Sequence, residues 1–99
     1  MAAPRITSQT LKVLAAVHAA QRASGAQIAK QSGLASGTLY PILLRLEAAG
    51  WLRSEWEFGD PSMLGRPRRR YYTLTAEGAK CASEIARDLQ SSIGGLAWS

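Results

Sequence analysis

The sequence is poor in the residue types from which disulfides and metal sites are built. Its 99 residues include one cysteine, Cys81, and one histidine, His18. A single cysteine excludes an intrachain disulfide and is typical of a reducing compartment, so we expect a cytoplasmic protein. One cysteine and one histidine do not form a zinc-ligand set, and neither a metal nor another cofactor is expected.

Long apolar runs are missing as well. No stretch reaches the roughly 18 apolar residues that a membrane-spanning helix needs, so no membrane association is expected. The stretch of residues 11–20 is interrupted by Lys12 and His18. Its apolar residues recur at helical spacing, which indicates a folded helix rather than a signal peptide.

Residue combinations that could carry out catalysis are also lacking. The spacing brings together no nucleophile and base, and the sequence contains neither a phosphate-binding glycine loop nor a metal cluster. The chain is therefore not expected to be an enzyme. Its length predicts one domain with a modest core.

Acidic residues are absent from the first half of the chain. Residues 1–46 contain five basic side chains and no acidic one, and the whole chain has a net charge of +5. Positive charge separated in this way indicates a polyanionic partner, with nucleic acid favoured over a membrane surface. The five basic residues are Arg5, Lys12, Arg22, Lys30 and Arg45.

The first predicted helix begins at a cap on Thr7 or Ser8 and ends near Arg22. Its apolar residues recur at spacings of three and four, so one side is expected to face the core. The residues on that side are Leu11, Leu14, Ala15 and His18.

The second predicted helix is short. Ser24 and Gln27 have the spacing of a capping box, which places the start of the helix at Gly25. Gly33 can adopt the left-handed conformation that ends a helix, so the last helical residue is expected near Ser32.

The third predicted helix extends from a cap on Ser36 to Gly50 and has two different sides. The inward side is apolar and consists of Leu39, Ile42, Leu43 and Leu46. The outward side has no acidic residue in its first half, and it suits either a nucleic-acid groove or plain solvent. The candidate DNA contacts on this helix are Ser36, Gly37, Thr38, Tyr40, Pro41 and Arg45. Among them, Thr38 and Tyr40 are expected to contact bases, and Arg45 the backbone.

A proline inside this helix requires an explanation. Pro41 lacks an amide proton and crowds the carbonyl of Gly37, four residues earlier. Two outcomes are open: the helix bends in its first turn, or regular helix begins near Thr38.

After the third helix the hydrophobic period changes to two, which predicts a β-hairpin. Its first strand has Leu52, Trp56 and Phe58 on one side, and its second strand covers residues 68–75. Residues 59–67 contain two glycines and two prolines, so no regular element is expected there.

Four arginines lie close together where the loop meets the second strand. Like charges repel one another unless an anion lies nearby, so phosphate binding is favoured over a plain solvated surface. These residues are Arg66, Arg68, Arg69 and Arg70.

The last predicted helix is capped by Thr75 and extends from Ala76 to about Ser92, because the pair Gly94 and Gly95 should end it. Its apolar residues recur at spacings of three and four and need not all be covered by so small a core. They are predicted to form a dimerisation surface. Its residues are Ala82, Ile85, Leu89 and Ile93.

This order of elements resembles a winged helix-turn-helix domain, which is mainly α with a small β-hairpin: a three-helix core, a two-stranded wing and a C-terminal helix. Several ordered strings between about residues 9 and 80 resemble the signature of PadR-type transcriptional regulators. The strings are GTLYP at 37–41, RLE at 45–47 with Gly50, Trp56, GRP at 65–67, RRYY at 69–72 and LTAEG at 74–78.

The resemblance implies a bacterial or phage-encoded repressor that binds double-stranded DNA as a homodimer on an inverted repeat. The third helix would enter the major groove, and the arginine-rich wing would meet the adjacent backbone or minor groove. Residues 1–75 would form the DNA-binding domain, and residues 76–99 the dimerisation helix. The chain resembles the short branch of the family, in which some members bind flat apolar compounds between subunits. An effector of that kind would bind at the dimer interface, beside Trp98.

Two other functions remain open from the residues alone. A winged-helix module could bind protein as an adaptor without sequence-specific DNA binding, although the separated basic charge counts against it. RNA binding is less favoured, because exposed aromatic residues on a sheet surface are not evident.

Overall fold

A computed structural model describes residues 6–98, with the side chains described for residues 6–88. The elements in chain order are α1 (Ser8–Ala20), β1 (Arg22–Ser24), α2 (Gly25–Ser32), α3 (Ser36–Ala48), β2 (Leu52–Trp56), α4 (Pro61–Leu64), β3 (Arg70–Leu74) and α5 (Ala76–Trp98). This order confirms the predicted winged helix-turn-helix fold. It also contains two elements that the sequence did not predict, β1 and α4. No helix within the described residues is both long and apolar enough to cross a membrane.

The predicted caps of the first two helices are confirmed. Thr7 begins α1, and its hydroxyl accepts a hydrogen bond from the amide of Thr10 at 3.2 Å. Ser24 and Gln27 form the capping box of α2, with reciprocal hydrogen bonds of 3.2 and 2.8 Å between side chains and amides. Gly33 ends α2 in the left-handed conformation, with φ of 73°. Local spacing was sufficient for these predictions because each cap uses residues three positions apart.

The predicted cap of α3 at Ser36 is wrong, because Ser36 is already the first helical residue. Ala35 takes the cap position without a side-chain hydrogen bond. The helix therefore starts two residues before Thr38 and continues through Pro41. Its last helical residue is Ala48, and Gly50 follows in the predicted left-handed conformation, with φ of 82°.

The end of α3 is a Schellman motif. The amide of Trp51 donates to the carbonyl of Leu46 at 2.9 Å, and the amide of Gly50 donates to the carbonyl of Glu47 at 3.0 Å. Trp51 is buried and belongs to the same hydrophobic cluster as Leu46. The motif thus fixes the direction in which the chain leaves α3 for β2.

The inward side predicted for α1 is wrong, although that of α3 is confirmed. Of the four predicted residues on α1, Leu14 is buried, Leu11 is half-buried, and Ala15 and His18 are exposed; Val17, predicted toward the edge of this side, is buried. Because α1 is apolar around most of its circumference, spacing alone did not decide which side packs inward. The buried residues of α1 are Thr10, Val13, Leu14, Ala16 and Val17. On α3, the predicted residues Leu39, Ile42, Leu43 and Leu46 are all buried.

The sheet has three antiparallel strands in the order β1-β3-β2. Tyr72 of β3 lies opposite Ala23 on one neighbour and Ser54 on the other. Of the three residues predicted to share one side of the first wing strand, Leu52 is buried, whereas Trp56 and Phe58 are exposed, and β2 ends at Trp56.

The last helix is longer than predicted. It begins at the Thr75 cap, whose hydroxyl accepts from the amide of Gly78 at 3.0 Å. It continues through Gly94 and Gly95 instead of ending there. Glycine inside a helix costs about 1 kcal/mol relative to alanine, which disfavours a helix without forbidding it. The start of α5 lies close to the end of α3, because a Cβ on Gly78 would overlap the carbonyl oxygen of Trp51.

Candidate nucleic-acid interface

An open cleft of about 480 Å³ separates α3 from the wing, and we call it the α3–wing cleft. It also includes the start of α2. The cleft therefore brings three of the four predicted arginines to the outer side of α3. Its lining residues are Ser24, Gly25, Ala26, Tyr40, Leu44, Glu47, Trp56, Arg68, Arg69, Arg70 and Tyr72.

Most candidate contacts on α3 are open to solvent. Ser36, Gly37, Tyr40, Pro41 and Arg45 are exposed, and Thr38 is half-buried. These side chains occupy the first three turns of the helix, opposite its buried side. The outer side of α3 is thus available to a partner along its length.

Sequence reasoning missed one residue on this side. Leu44 is 68% exposed and lines the α3–wing cleft. Its position four residues after Tyr40 places both side chains on the same side of the helix. That spacing was the signal, but Leu44 was assigned to neither side of the helix from the sequence.

Tyr40 lies across the start of α2. A Cβ added to Gly25 would be 2.7 Å from the Tyr40 hydroxyl oxygen, so the ring occupies space that only glycine leaves open. Tyr40 nevertheless remains 47% exposed. Its hydroxyl is therefore held at the junction of α2, α3 and the cleft.

Arg66 has an anionic partner within the chain. Its two terminal nitrogens donate to the two carboxylate oxygens of Glu57 at 2.6 and 2.9 Å. This hydrogen-bonded pair lowers the pKa of Glu57 to about 2. Arg66 therefore closes the base of the wing through a bidentate ion pair.

Arg70 also has partners within the chain. Its Nε and Nη2 donate to the hydroxyl of Ser54 at 2.9 and 2.7 Å, and Nη2 lies 3.6 Å from a carboxylate oxygen of Glu47. The Ser54 hydroxyl donates to the other oxygen of Glu47 at 2.5 Å. The guanidinium also lies 5.4 Å from the centroid of Trp56. These contacts join α3 to both strands of the wing.

Arg66 and Arg70 therefore already have anionic partners, so mutual repulsion does not favour phosphate binding at these two residues, and their contact with DNA stays a prediction. Glu47 and Glu57 are their partners, and the pairing depends on how the hairpin folds back on α3. Arg68 and Arg69 are exposed, and their side chains form no hydrogen bond or ion pair with any described residue. Two guanidinium groups beside α3 thus remain free for an external anion.

The candidate dimerisation residues lie on a different side of the molecule. Ala82 and Ile85 are half-buried, and Ile85 packs partly against the core of its own chain. The side chains of Leu89 and Ile93 lie outside the described residues. A largely apolar groove of about 320 Å³, which we call the α1–α5 groove, separates the first and last helices. Its lining residues are Leu11, Leu14, Ala15, His18, Ala82, Ser83 and Ala86.

Metal ligation has no candidate in the described part of the chain. No group of three or more histidine, cysteine, aspartate or glutamate side chains there could hold an ion. The chemistry available at the α3–wing cleft is therefore hydrogen bonding, positive charge and aromatic surface.

Comparison with known proteins places this arrangement in a family. The family model described as the PadR-like family of transcriptional regulators matches residues 13–84. A PadR family transcriptional regulator from Eggerthella lenta has 30% identity and a TM-score of 0.69, over 89% of this chain and 79% of that one. A PadR family regulator from Clostridium difficile has 26% identity and a TM-score of 0.73, over 91% of this chain and 94% of that one.

A third solved structure is that of NadR in complex with 4-hydroxyphenylacetate, with 26% identity and a TM-score of 0.75. The match covers 92% of this chain, which spans 60% of the NadR chain. No curated protein sequence gives a match. The relatives from Eggerthella lenta and Clostridium difficile are described as transcription regulators. Because the family model covers most of the chain, the protein belongs to the PadR-like family of transcriptional regulators and has a winged-helix fold.

Proposed function

We propose that the protein is a homodimeric repressor that binds an inverted-repeat operator and has no catalytic activity. In this proposal α3 enters the major groove and the wing contacts the adjacent backbone or minor groove. The observation that carries it is the free positive charge of Arg68 and Arg69 beside the exposed side of α3. Neither side chain forms an ion pair within the described chain, so DNA phosphates can pair with both.

Base contacts are assigned to the first turns of α3. Thr38 and Tyr40 offer hydroxyl groups, a methyl group and a ring, which are suited to the edges of bases in the major groove. Ser36, Gly37 and Pro41 are small enough to allow the helix to approach DNA closely. Helix N-termini commonly make such contacts in helix-turn-helix proteins.

Backbone contacts are assigned to three exposed arginines, Arg45, Arg68 and Arg69. Arg66 and Arg70 have a different role in this proposal, because their guanidinium groups already pair with carboxylates. They hold the wing against α3 so that the exposed arginines face the same duplex. Phosphate contacts fix position, whereas the contacts of α3 with bases determine sequence.

The dimer is assigned to α5 and the α1–α5 groove. The groove is apolar, and a second copy of the chain can fill it with the dimerisation side of its own last helix. Leu89 and Ile93 remain predicted contacts of that side. Two α3 helices about 34 Å apart would then read half-sites one helical turn apart.

A small apolar effector is assigned to the same dimer interface. NadR, a structural relative, has been solved with 4-hydroxyphenylacetate bound. An effector there could change the distance between the two α3 helices, and it would act by favouring one spacing over another. The walls of such a site would come from α1, α5 and Trp98.

Selection of bound duplexes from a random DNA pool tests the proposal. We expect enrichment of an inverted repeat, with affinity that falls steeply as salt concentration rises. Sedimentation of the free protein should give a dimer at tens of micromolar. A protein-interaction module would enrich no sequence, and a monomeric regulator would enrich a single half-site. Either result would contradict the proposal.

A further inference from the structure

The tip of the wing carries apolar side chains in full contact with solvent. Phe58 is 99% exposed and Met63 is 85% exposed. Single exposed apolar residues are common on soluble proteins, so exposure alone carries no conclusion. Here the two residues lie on one short segment, which we call the wing tip and define as residues 58–65.

The wing tip has a defined internal structure. It contains the four-residue helix α4, which Asp60 caps by accepting from the amide of Ser62 at 3.0 Å. Gly65 ends this helix in the left-handed conformation, with φ of 72°. Leu64 folds back over Gly59, where an added Cβ would lie 3.6 Å from its side chain. Leu64 thus packs within the tip, whereas Phe58 and Met63 point away from it.

The base of the wing tip is closed by pairing between its two sides. The amide of Glu57 donates to the carbonyl of Arg69 at 2.7 Å, and Arg66 pairs with the Glu57 carboxylate. This pairing neutralises the carboxylate of Glu57, the residue that precedes Phe58. Asp60, within the tip, accepts a hydrogen bond from the amide of Ser62.

The wing tip is continuous with the proposed DNA-binding surface. Trp56 and Arg68 line the α3–wing cleft, and they also line a shallow depression beside Pro61 and Ser62 of the tip. A duplex held by α3 and Arg68 would therefore meet the tip next. The neighbouring charge is positive, which matches a polyanion better than an ordinary protein surface.

We propose that the wing tip places Phe58, supported by Met63, in the minor groove against a base step and thereby bends the operator. The inference rests on the proposed function and extends it to a second, shape-dependent mode of recognition. Apolar side chains that enter the minor groove partly unstack a base step and bend the duplex. Pyrimidine–purine steps deform most easily, so the operator should carry one where the tip lies.

The test uses a duplex enriched by the wild-type protein from a random pool. Fluorophores at the two ends measure bending by energy transfer, and 2-aminopurine at the candidate step reports unstacking. We expect Phe58→Ala to abolish both signals and to weaken binding about tenfold. The salt slope should not change, because no charge is removed. Phe58→Leu should retain most of the bend, since leucine also serves as a wedge.

Two controls keep a structural defect separate from a lost contact. Gln9→Ala alters an exposed polar residue of α1, outside the wing and the α3–wing cleft, and should leave bending and affinity unchanged. The melting temperature of Phe58→Ala should equal that of the wild type, because the side chain has almost no contacts to lose.

The outcomes for the two proposals can be distinguished. If Phe58→Ala binds and bends the duplex as the wild type does, the wing-tip proposal is overturned and the proposed function stands. If Phe58→Ala instead dissociates a dimer in sedimentation, the tip is a contact between protein chains and the proposal is also overturned. If the wild-type protein enriches no DNA, the proposed function itself fails.

Discussion

The α3–wing cleft and the α1–α5 groove are both open depressions, but their linings differ in chemistry. The cleft contains three arginines and three aromatic residues, whereas the groove contains mainly alanine and leucine with one histidine. Arginine and aromatic side chains suit a hydrated, charged ligand, and an alanine-lined groove suits an apolar one. The difference is consistent with the proposal that one small domain binds DNA at the cleft and a second copy of the chain at the groove. Changes at one surface should therefore leave the properties of the other measurable.

The largest expected effect comes from a charge placed in the groove. Ala82→Glu should prevent dimerisation, because a carboxylate would be buried unpaired at an apolar contact. Loss of the second half-site should weaken binding to an inverted repeat about a thousandfold. Sedimentation and gel shifts measure the two effects.

Matched variants separate this result from misfolding. Ala86→Glu, at an exposed position of the groove, should behave in the same way as Ala82→Glu. Glu84→Ala, on α5 but outside the groove, should change neither property. A dimeric Ala86→Glu would argue against the groove as the contact.

Gly78→Ala should weaken both surfaces together by destabilising the fold. The added Cβ would overlap the backbone of Trp51, so the start of α5 must move. We expect a loss of about 3 kcal/mol in the free energy of unfolding. Gly37→Ala is the matched control, because a Cβ there meets nothing within 4 Å in the described chain. Thermal melts of the two variants should differ widely, and equal melting temperatures would contradict the close packing of α5 on Trp51.

Removal of the free charge should affect the cleft alone. The double variant Arg68→Ala, Arg69→Ala should weaken binding to all DNA sequences about a hundredfold and reduce the salt slope by about two units. Arg66→Ala should instead destabilise the wing, since it leaves Glu57 without its partner. Dimerisation should persist in the double variant. An unchanged salt slope would exclude phosphate contacts from both arginines.

Variants of Tyr40 test whether the α3–wing cleft contacts DNA bases as well as the DNA backbone. Tyr40→Ala should cost about 1–3 kcal/mol on the selected operator and much less on random DNA. Tyr40→Phe retains the ring beside Gly25 and removes the hydroxyl. The affinity that this variant loses therefore measures the hydrogen bond of the hydroxyl alone. Melting temperatures measured in parallel identify any structural effect. Equal losses of affinity for the operator and for random DNA would show that Tyr40 contacts the DNA backbone and not the bases.

The smallest expected effect is a pH dependence of local stability, confined to the wing. The ion pair with Arg66 lowers the pKa of Glu57 from 4.5 to about 2. A lowered pKa in the folded state means that the contribution to stability is complete above pH 4.5 and is lost as pH falls toward 2. Glu57→Gln should remove this dependence. Hydrogen exchange of the wing amides between those pH values measures this loss of stability. An identical pH dependence in Glu57→Gln would contradict the role assigned to the Glu57–Arg66 pair.

The predictable parts of the molecule are those that depend on neighbours in sequence. The capping box of α2 and the inward residues of α3 follow from spacings of three and four, and the structure confirms both. The family resemblance, carried by strings within about residues 9–80, agrees with the family match over residues 13–84.

The parts that could not be predicted depend on packing between distant segments. The inward side of α1 is determined by contacts with α2, α3 and β3, which its own composition does not reveal. The strand β1 has three residues and exists because it pairs with β3, almost 50 residues later. The partners of Arg66 and Arg70 likewise depend on the hairpin register. Which arginines are free was therefore not readable from the sequence.

The hydroxyl of Thr75 links two helices of the fold. It donates to the carbonyl of Gly50 at 2.6 Å and accepts from the amide of Gly78 at 3.0 Å, so it connects the end of α3 to the start of α5. With the packing of Gly78 on Trp51, these bonds make the junction of the two helices stiff. At 1.5 Å per residue, α5 is about 35 Å long and can act as a rigid arm attached to α3. In the proposed dimer, a small change in the angle between two such arms would therefore be converted into a displacement of the two α3 helices, without any rearrangement inside either subunit.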